Sequence, residues 1–136
     1  MNSYNIKYKV WIVQSKYDLD AAVAIAKEGY YEWACFITEQ SVEKALKSII
    51  VANNQIAPKI HKLSALVNIV KRVDYKFLDI KFEVKEISVF TFIARYPFLI
   101  PGELDAPHSY ITLDDAKLCL TKATKVLNTI ESLLID

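Results

Sequence analysis

An all-helical fold, an up-and-down antiparallel bundle of four long helices plus one short helix, is what the sequence predicts, and three observations predict it. Apolar residues recur at three- and four-residue steps along nearly the whole chain, with almost no strand-like alternation. Punctuation is sparse: Gly29 and Gly102 are the only glycines, and the prolines are Pro58, Pro97, Pro101 and Pro107. The connections between periodic segments are short except the one between Pro97 and Ile111, and short connections favour antiparallel neighbours. A chain of 136 residues suits one domain, 1–136, able to bury roughly two thirds of the surface its unfolded form exposes.

The first predicted helix runs from Tyr4 to Lys27, with Tyr8, Trp11, Ser15, Leu19, Ala22 and Ala26 along one stripe and Gly29 suited to its end. The second runs from Tyr30 to Ala52. Cys35, Thr38, Val42, Ala45, Leu46, Ile49 and Ile50 form its apolar face, while Glu39, Glu43 and Lys47 line another at four-residue steps, a pattern expected of a solvated face. A shorter third helix follows over His61–Val73. The fourth is expected over Phe77–Tyr96, and its C-terminal half, ISVFTFIA, is apolar nearly all the way round. Such a half-helix is expected to meet a second copy of the chain. The fifth opens with a capping-box pattern, Thr112 and Asp115, and then carries Leu113, Ala116, Leu120, Ala123, Leu127, Ile130 and Leu134 as a bundle seam.

Composition narrows the function classes. Hydrophobic residues make up 53% and charged residues 24%, with a formal net charge of +1. That balance speaks against disorder and against polyanion binding by bulk charge, so any nucleic-acid binding needs a local site. The N-terminus lacks an uninterrupted apolar core of a signal peptide, and no apolar run approaches the roughly 18 residues of a membrane helix, so the chain reads as cytoplasmic, with no membrane partner. Cys35 and Cys119 have no CxxC spacing and read as buried small hydrophobes; no metal site and no cofactor are expected. The usual phosphate-loop, dinucleotide, zinc-protease and nucleophile-elbow motifs are absent.

The remaining polar residues gather at the end of helix four and the start of helix three. Arg95 falls in the last turn of helix four, where the carbonyl end of the helix favours a cation, and Pro97 ends the helix. Helical spacing puts Arg95 on a face with Ser88 and Thr91, where a planar fork of donors suits phosphate. His108 precedes helix five beside Pro107 and Tyr110, and His61 stands near the start of helix three as a capping or packing residue. The candidate ligand-binding set is Arg95, Tyr96, Thr91, Lys44, Lys47, His61 and Tyr110. The catalytic residues stay unassigned, with Arg95 and His108 as the alternative pair.

The run SKYDLDAAVAIAKEGYYEWACFITEQSVEKALKSII, then HKLSALV, then IARYP ahead of a final long helix, resembles HEPN domains, the nucleotide-binding bundles of higher eukaryotes and prokaryotes. The resemblance spans nearly the whole chain. It implies a compact helical bundle that dimerises, binds a nucleotide, and pairs with a small nucleotidyltransferase in a two-component, toxin-antitoxin-like system. Other members are metal-independent RNases in which an arginine is followed roughly four to six residues later by a histidine. Here about twelve residues separate Arg95 from His108, so the nuclease spacing is missing. Two expectations follow: a non-catalytic or weakly catalytic homodimeric module that binds a nucleotide or phosphate ligand and has such a partner; or an RNase toxin in which Arg95 and His108 converge on RNA. A purely structural dimeric scaffold is the plainest third.

Overall fold

Two chain reversals set up the bundle. In the first, Gly29 takes φ +90°, and its N–H reaches the carbonyl of Ala26 at 3.0 Å while that of Tyr30 reaches Ile25 at 3.3 Å. This is the paired closure a residue in the left-handed region allows, and it ends α1, Ser3–Lys27. Asn54, at φ 63°, repeats it at the end of α2, Tyr31–Ala52, with Asn54 bonding Val51 and Gln55 bonding Ile50. Asparagine tolerates this conformation better than other residues with a Cβ, and it stands where no glycine is available. The computed structural model describes residues 3–95 and 106–134, with side chains described for 7–91, 106 and 108–134.

The other helices are α3, Leu63–Val73, α4, Lys85–Arg95, and α5, Leu113–Leu134, and no strand occurs among the described residues. The fold is thus an all-helical bundle of five helices. Its α4 starts later than the periodicity suggests. The Asp74 carboxylate takes the N–H of Lys76 at 3.1 Å and turns the chain into a 3-10 turn, Tyr75–Phe77. Beyond it, Ile80 and Phe82 are half-buried and Val84 is buried, whereas Lys81 and Glu83 are exposed. That alternation marks a non-helical strap laid on the core, so the helix over Phe77–Tyr96 is replaced by turn, strap and a shorter helix.

α2 is the central element, touching each of the other four helices. Small residues let α1 come close: the Ser41 hydroxyl of α2 donates to the Ser15 carbonyl of α1 at 2.7 Å, and both serines are fully buried. The α1 stripe expected from the sequence faces inward, with Tyr8, Ser15, Ala22 and Ala26 buried and Trp11 and Leu19 half-buried. The Tyr8 hydroxyl donates to the Leu134 carbonyl at 3.0 Å and ties the start of α1 to the end of α5. The capping box forms as expected, Thr112 N–H to Asp115 Oδ2 at 2.8 Å and Asp115 N–H to Thr112 Oγ1 at 3.2 Å. The α5 seam buries Ala116, Ala123, Leu127, Ile130 and Leu134, but its first member, Leu113, is exposed.

Cys35 and Cys119 meet between α2 and α5, both fully buried. A hydrogen bond with Cys35, reinforced by burial, pushes the Cys119 thiol well up from its ordinary range. Cys119 therefore stays a protonated thiol, and both cysteines pack as small buried side chains.

Candidate functional site: a groove beside the central helix

The row Glu39, Glu43 and Lys47 is not a solvated face. These residues are 7%, 6% and 5% exposed, because α3 and α4 cover the side of α2 from which they project. Buried charge is costly without compensation, and within the row Glu43 and Lys47 compensate each other. Lys47 Nζ lies 3.2 Å from Glu43 Oε2, one helical turn away. Both Glu43 oxygens lie 3.2 Å from Nδ1 of His61, which enters from the connection ahead of α3. His61 itself has a side chain 77% exposed, so it joins a buried carboxylate to the surface.

That surface is a groove of about 510 Å³. Glu39 contributes from α2, His61, Lys62 and Ser64 from the start of α3, and Val84, Lys85, Ser88 and Val89 from the strap and α4. The volume lies within the span of small-molecule sites, and convergent polar groups on partly apolar walls are the usual lining of one. Two lysines, an imidazole and two hydroxyls offer donors to an anion. The first turn of α3 has no side-chain cap, so its backbone N–H groups add positive potential at the same end.

The expected ligand residues divide three ways. His61 lines the groove, and Arg95 occupies the last position of α4, seven residues beyond Ser88, which places its backbone about 10 Å further along the same helical face. Its side chain, like Tyr96, lies outside the described residues. Three others have their polar groups engaged inside the fold. Lys44 pairs with Asp18 of α1, Lys47 with Glu43, and the buried Thr91 hydroxyl donates to the carbonyls of Ile87 at 3.2 Å and Cys35 at 3.3 Å. His108 is exposed in a 3-10 turn, Pro107–Ser109, and Tyr110 is half-buried just after it; neither lines the groove.

Sequence reasoning missed Glu39, Glu43, Lys62, Ser64 and Lys85. The signal for the first two was present on the opposite side of α2, where Ala34, Ser41, Ala45 and Ser48 form a row of small residues. Such a row marks close helix contact, and a helix packed on that side as well as its apolar face has little surface left for solvent. A second groove, of about 210 Å³ and bordered by Lys81, Lys122 and Lys125, lacks any comparable buried support; Lys122 is already held by Glu83 at 2.6 Å and Glu86 at 3.3 Å. Among the described residues, no three His, Cys, Asp or Glu side chains gather as a metal ion requires, and no helix is long and apolar enough to cross a membrane.

Among the described residues, a five-helix bundle whose central helix lays the Glu43 carboxylate beside His61 at a mostly apolar groove defines the class: a helical domain with a cleft on its side. Within that class the chain belongs to the HEPN domain family, whose model matches residues 8–133. It is 29% identical over 141 residues to MJ1304 of Methanocaldococcus jannaschii, whose name proposes a toxin, with 98% of this chain and 92% of that protein covered. Among solved structures it is similar to TT1696 from Thermus thermophilus, with a TM-score of 0.74, 25% identity, and 93% of this chain and 97% of that one covered. It is also similar to ST0689, an archaeal HEPN homologue, with a TM-score of 0.62, 27% identity, and 94% and 98% covered.

Proposed function

We propose that this chain is a cytoplasmic nucleotide- or phosphate-ligand-binding HEPN module, one domain over 1–136, that acts as a homodimer and pairs with a small nucleotidyltransferase in a toxin-antitoxin-like system. The observation that carries the binding reading is the groove: about 510 Å³, with His61, Lys62 and Lys85 among its walls. Ammonium and imidazole groups around a cleft of that size match the charge and bulk of a nucleotide phosphate chain. Arg95 and Tyr96, beyond Ser88 on the chain, are the further ligand contacts proposed. The dimer reading rests on the run ISVFTFIA of the fourth helix, apolar nearly all the way round in the sequence. The toxin-like setting draws on the name of the relative MJ1304.

Calorimetric titration of the full chain with nucleoside mono-, di- and triphosphates tests the binding. Saturable heat is expected, weakened about tenfold by Lys85→Glu, since a favourable charge is replaced by a repulsive one. No heat with any nucleotide at millimolar concentration overturns it. Co-purification with a small nucleotidyltransferase from the source cell tests the pairing, and light scattering tests the dimer.

The toxin name also favours a second reading, an RNase in which Arg95 and His108 act together on RNA. It expects cleavage of a single-stranded RNA that Arg95→Ala and His108→Ala each abolish. Intact RNA after prolonged incubation removes it.

A further inference from the structure

Glu43, a charged group at least nine-tenths buried, meets the exposed side chain of His61 in the groove wall. The geometry at the imidazole decides its chemistry. Because both carboxylate oxygens approach Nδ1 at 3.2 Å, that nitrogen carries its hydrogen toward Glu43. In the neutral ring Nε2 is then a bare acceptor. A protonated ring turns Nε2 into a charged donor. Phosphate oxygens accept hydrogen bonds, so the two states differ in kind: the neutral ring opposes its lone pair to a phosphate, and the imidazolium donates to it.

We propose that His61 is the protonation-dependent phosphate contact of this groove, that Glu43 is its positioning residue, and that the ligand it receives is the di- or triphosphate chain of a small molecule. This rests on the phosphate-ligand reading above and assigns the end of the groove that takes the phosphates. The surrounding charges support it. Glu43 touches the imidazole, Lys47 pairs with Glu43 behind it, and Glu39 of α2, Lys62 beside the ring and Lys85 at the start of α4 share the groove walls with it. With the ring protonated, four cationic groups stand against two carboxylates; with it neutral, three stand against two. One proton thus doubles the net positive charge presented to the phosphates, and Ser64 and Ser88 add neutral hydroxyls within the same walls. Glu43 also fixes the ring on an otherwise exposed connection, and a donor held in place loses less entropy on binding than a free one.

The experiment titrates the 136-residue chain with inorganic pyrophosphate by calorimetry at pH 6 and pH 8, beside His61→Gln and the control Lys16→Ala, an exposed site away from the groove. His61 and His108 are the only histidines, so nitrogen NMR of the imidazoles assigns each by elimination. Relative to His61→Gln, wild type and Lys16→Ala are expected to bind about tenfold more tightly at pH 6, the worth of one charge-assisted hydrogen bond, and to lose that advantage at pH 8. The pyrophosphate's own titration is common to all three proteins and cancels in the comparison. The neutral His61 ring is expected to carry its hydrogen on Nδ1 and leave Nε2 bare, with the Nε2 signal moving when pyrophosphate is added. His61→Gln alters an exposed side chain and leaves the Glu43–Lys47 pair in place, so folding is not the issue; thermal melting checks it.

Pyrophosphate affinity equal in His61→Gln and wild type, or a pH dependence that is the same in the two, overturns the proposal. So does His61-dependent binding of a short RNA without pyrophosphate binding. Nucleotides that bind while leaving the Nε2 signal unmoved defeat this assignment but spare the broader binding reading, whereas failure of every phosphate ligand defeats both.

Discussion

α2 and α5 are both 22 residues long and both were legible as helices, yet the bundle treats them differently. On α5 the buried positions are Ala116, Cys119, Ala123, Val126, Leu127, Ile130 and Leu134, an almost wholly aliphatic seam, and its charges stay outside. On α2 burial extends around the helix and takes in Thr38, Glu39, Ser41, Glu43, Lys47 and Ser48. The difference is one of position. α5 lies at the side of the bundle, whereas α2 is covered by α1, α3, α4 and α5 in turn. A polar row on a flanking helix meets water; the same row on a central helix must find partners inside the protein, and here it found a histidine from another segment.

The sharpest way to break this comparison is to remove one member of the α2 row. Glu43→Ala leaves the Lys47 ammonium, 5% exposed, without its carboxylate, and a loss of about 4 kcal/mol is expected, because a buried charge then lacks compensation. Denaturant titration measures it. Replacing Glu43 and Lys47 together by methionine is expected to recover most of the loss, which separates the penalty of a lone charge from the worth of the pair. A loss under about 1 kcal/mol for the single change would mean the row behaves as surface. On α5 the corresponding test is apolar: Ile130→Ala, at a fully buried site, is expected to cost about 3 kcal/mol in transfer and cavity terms. No second substitution of charge type should rescue it.

Smaller effects belong to the ends and outer faces. Thr112→Ala removes the hydroxyl that receives the Asp115 N–H, and a loss of about 1 kcal/mol is expected for an N-cap. The Lys16–Glu131 pair joins α1 to α5 at 3.0 Å with both side chains well exposed, so Lys16→Ala is expected to cost only about 0.5 kcal/mol, vanishing in high salt. An equal cost for the Thr112 and Glu43 variants would erase the distinction between outer and central positions.

Much of the fold was legible because local physics carried it. The α1 stripe, the apolar face of α2, the Gly29 stop and the Thr112–Asp115 box each depend on residues within a turn or two of one another. The start of α4 was less so: its periodicity continued backward through Phe77, while the turn made by Asp74 and the alternation of Ile80, Phe82 and Val84 spoke for a strap. The candidate site was legible only in part. His61 was in view, but its meaning depends on Glu43, eighteen positions earlier, and no local spacing announces that meeting. Lys44 and Thr91 carried suitable chemistry, yet Asp18 and the Cys35 carbonyl, both distant in sequence, engage them. Residue type suggests what a group can do; which partner reaches it is a property of the packed bundle.

The smallest expected effect concerns the contact between the strap and α5, where Lys122 meets Glu83 at 2.6 Å and Glu86 at 3.3 Å. A hydrogen bond and the charge of Lys122 hold the Glu83 carboxyl below its ordinary value, and the hydrogen bond to Glu83 raises the Lys122 ammonium above its own. A depressed carboxyl contributes stability that is present above its unfolded value and lost as pH falls through the folded one; a raised ammonium contributes stability that is present below its unfolded value and lost as pH rises through the folded one. The contact is therefore complete across neutral pH and fades at both extremes. Lys122→Met should flatten both limbs in a series of denaturant midpoints from acid to alkaline pH, and salt should do the same to wild type. An acid limb unchanged in the variant would assign that limb to other carboxylates.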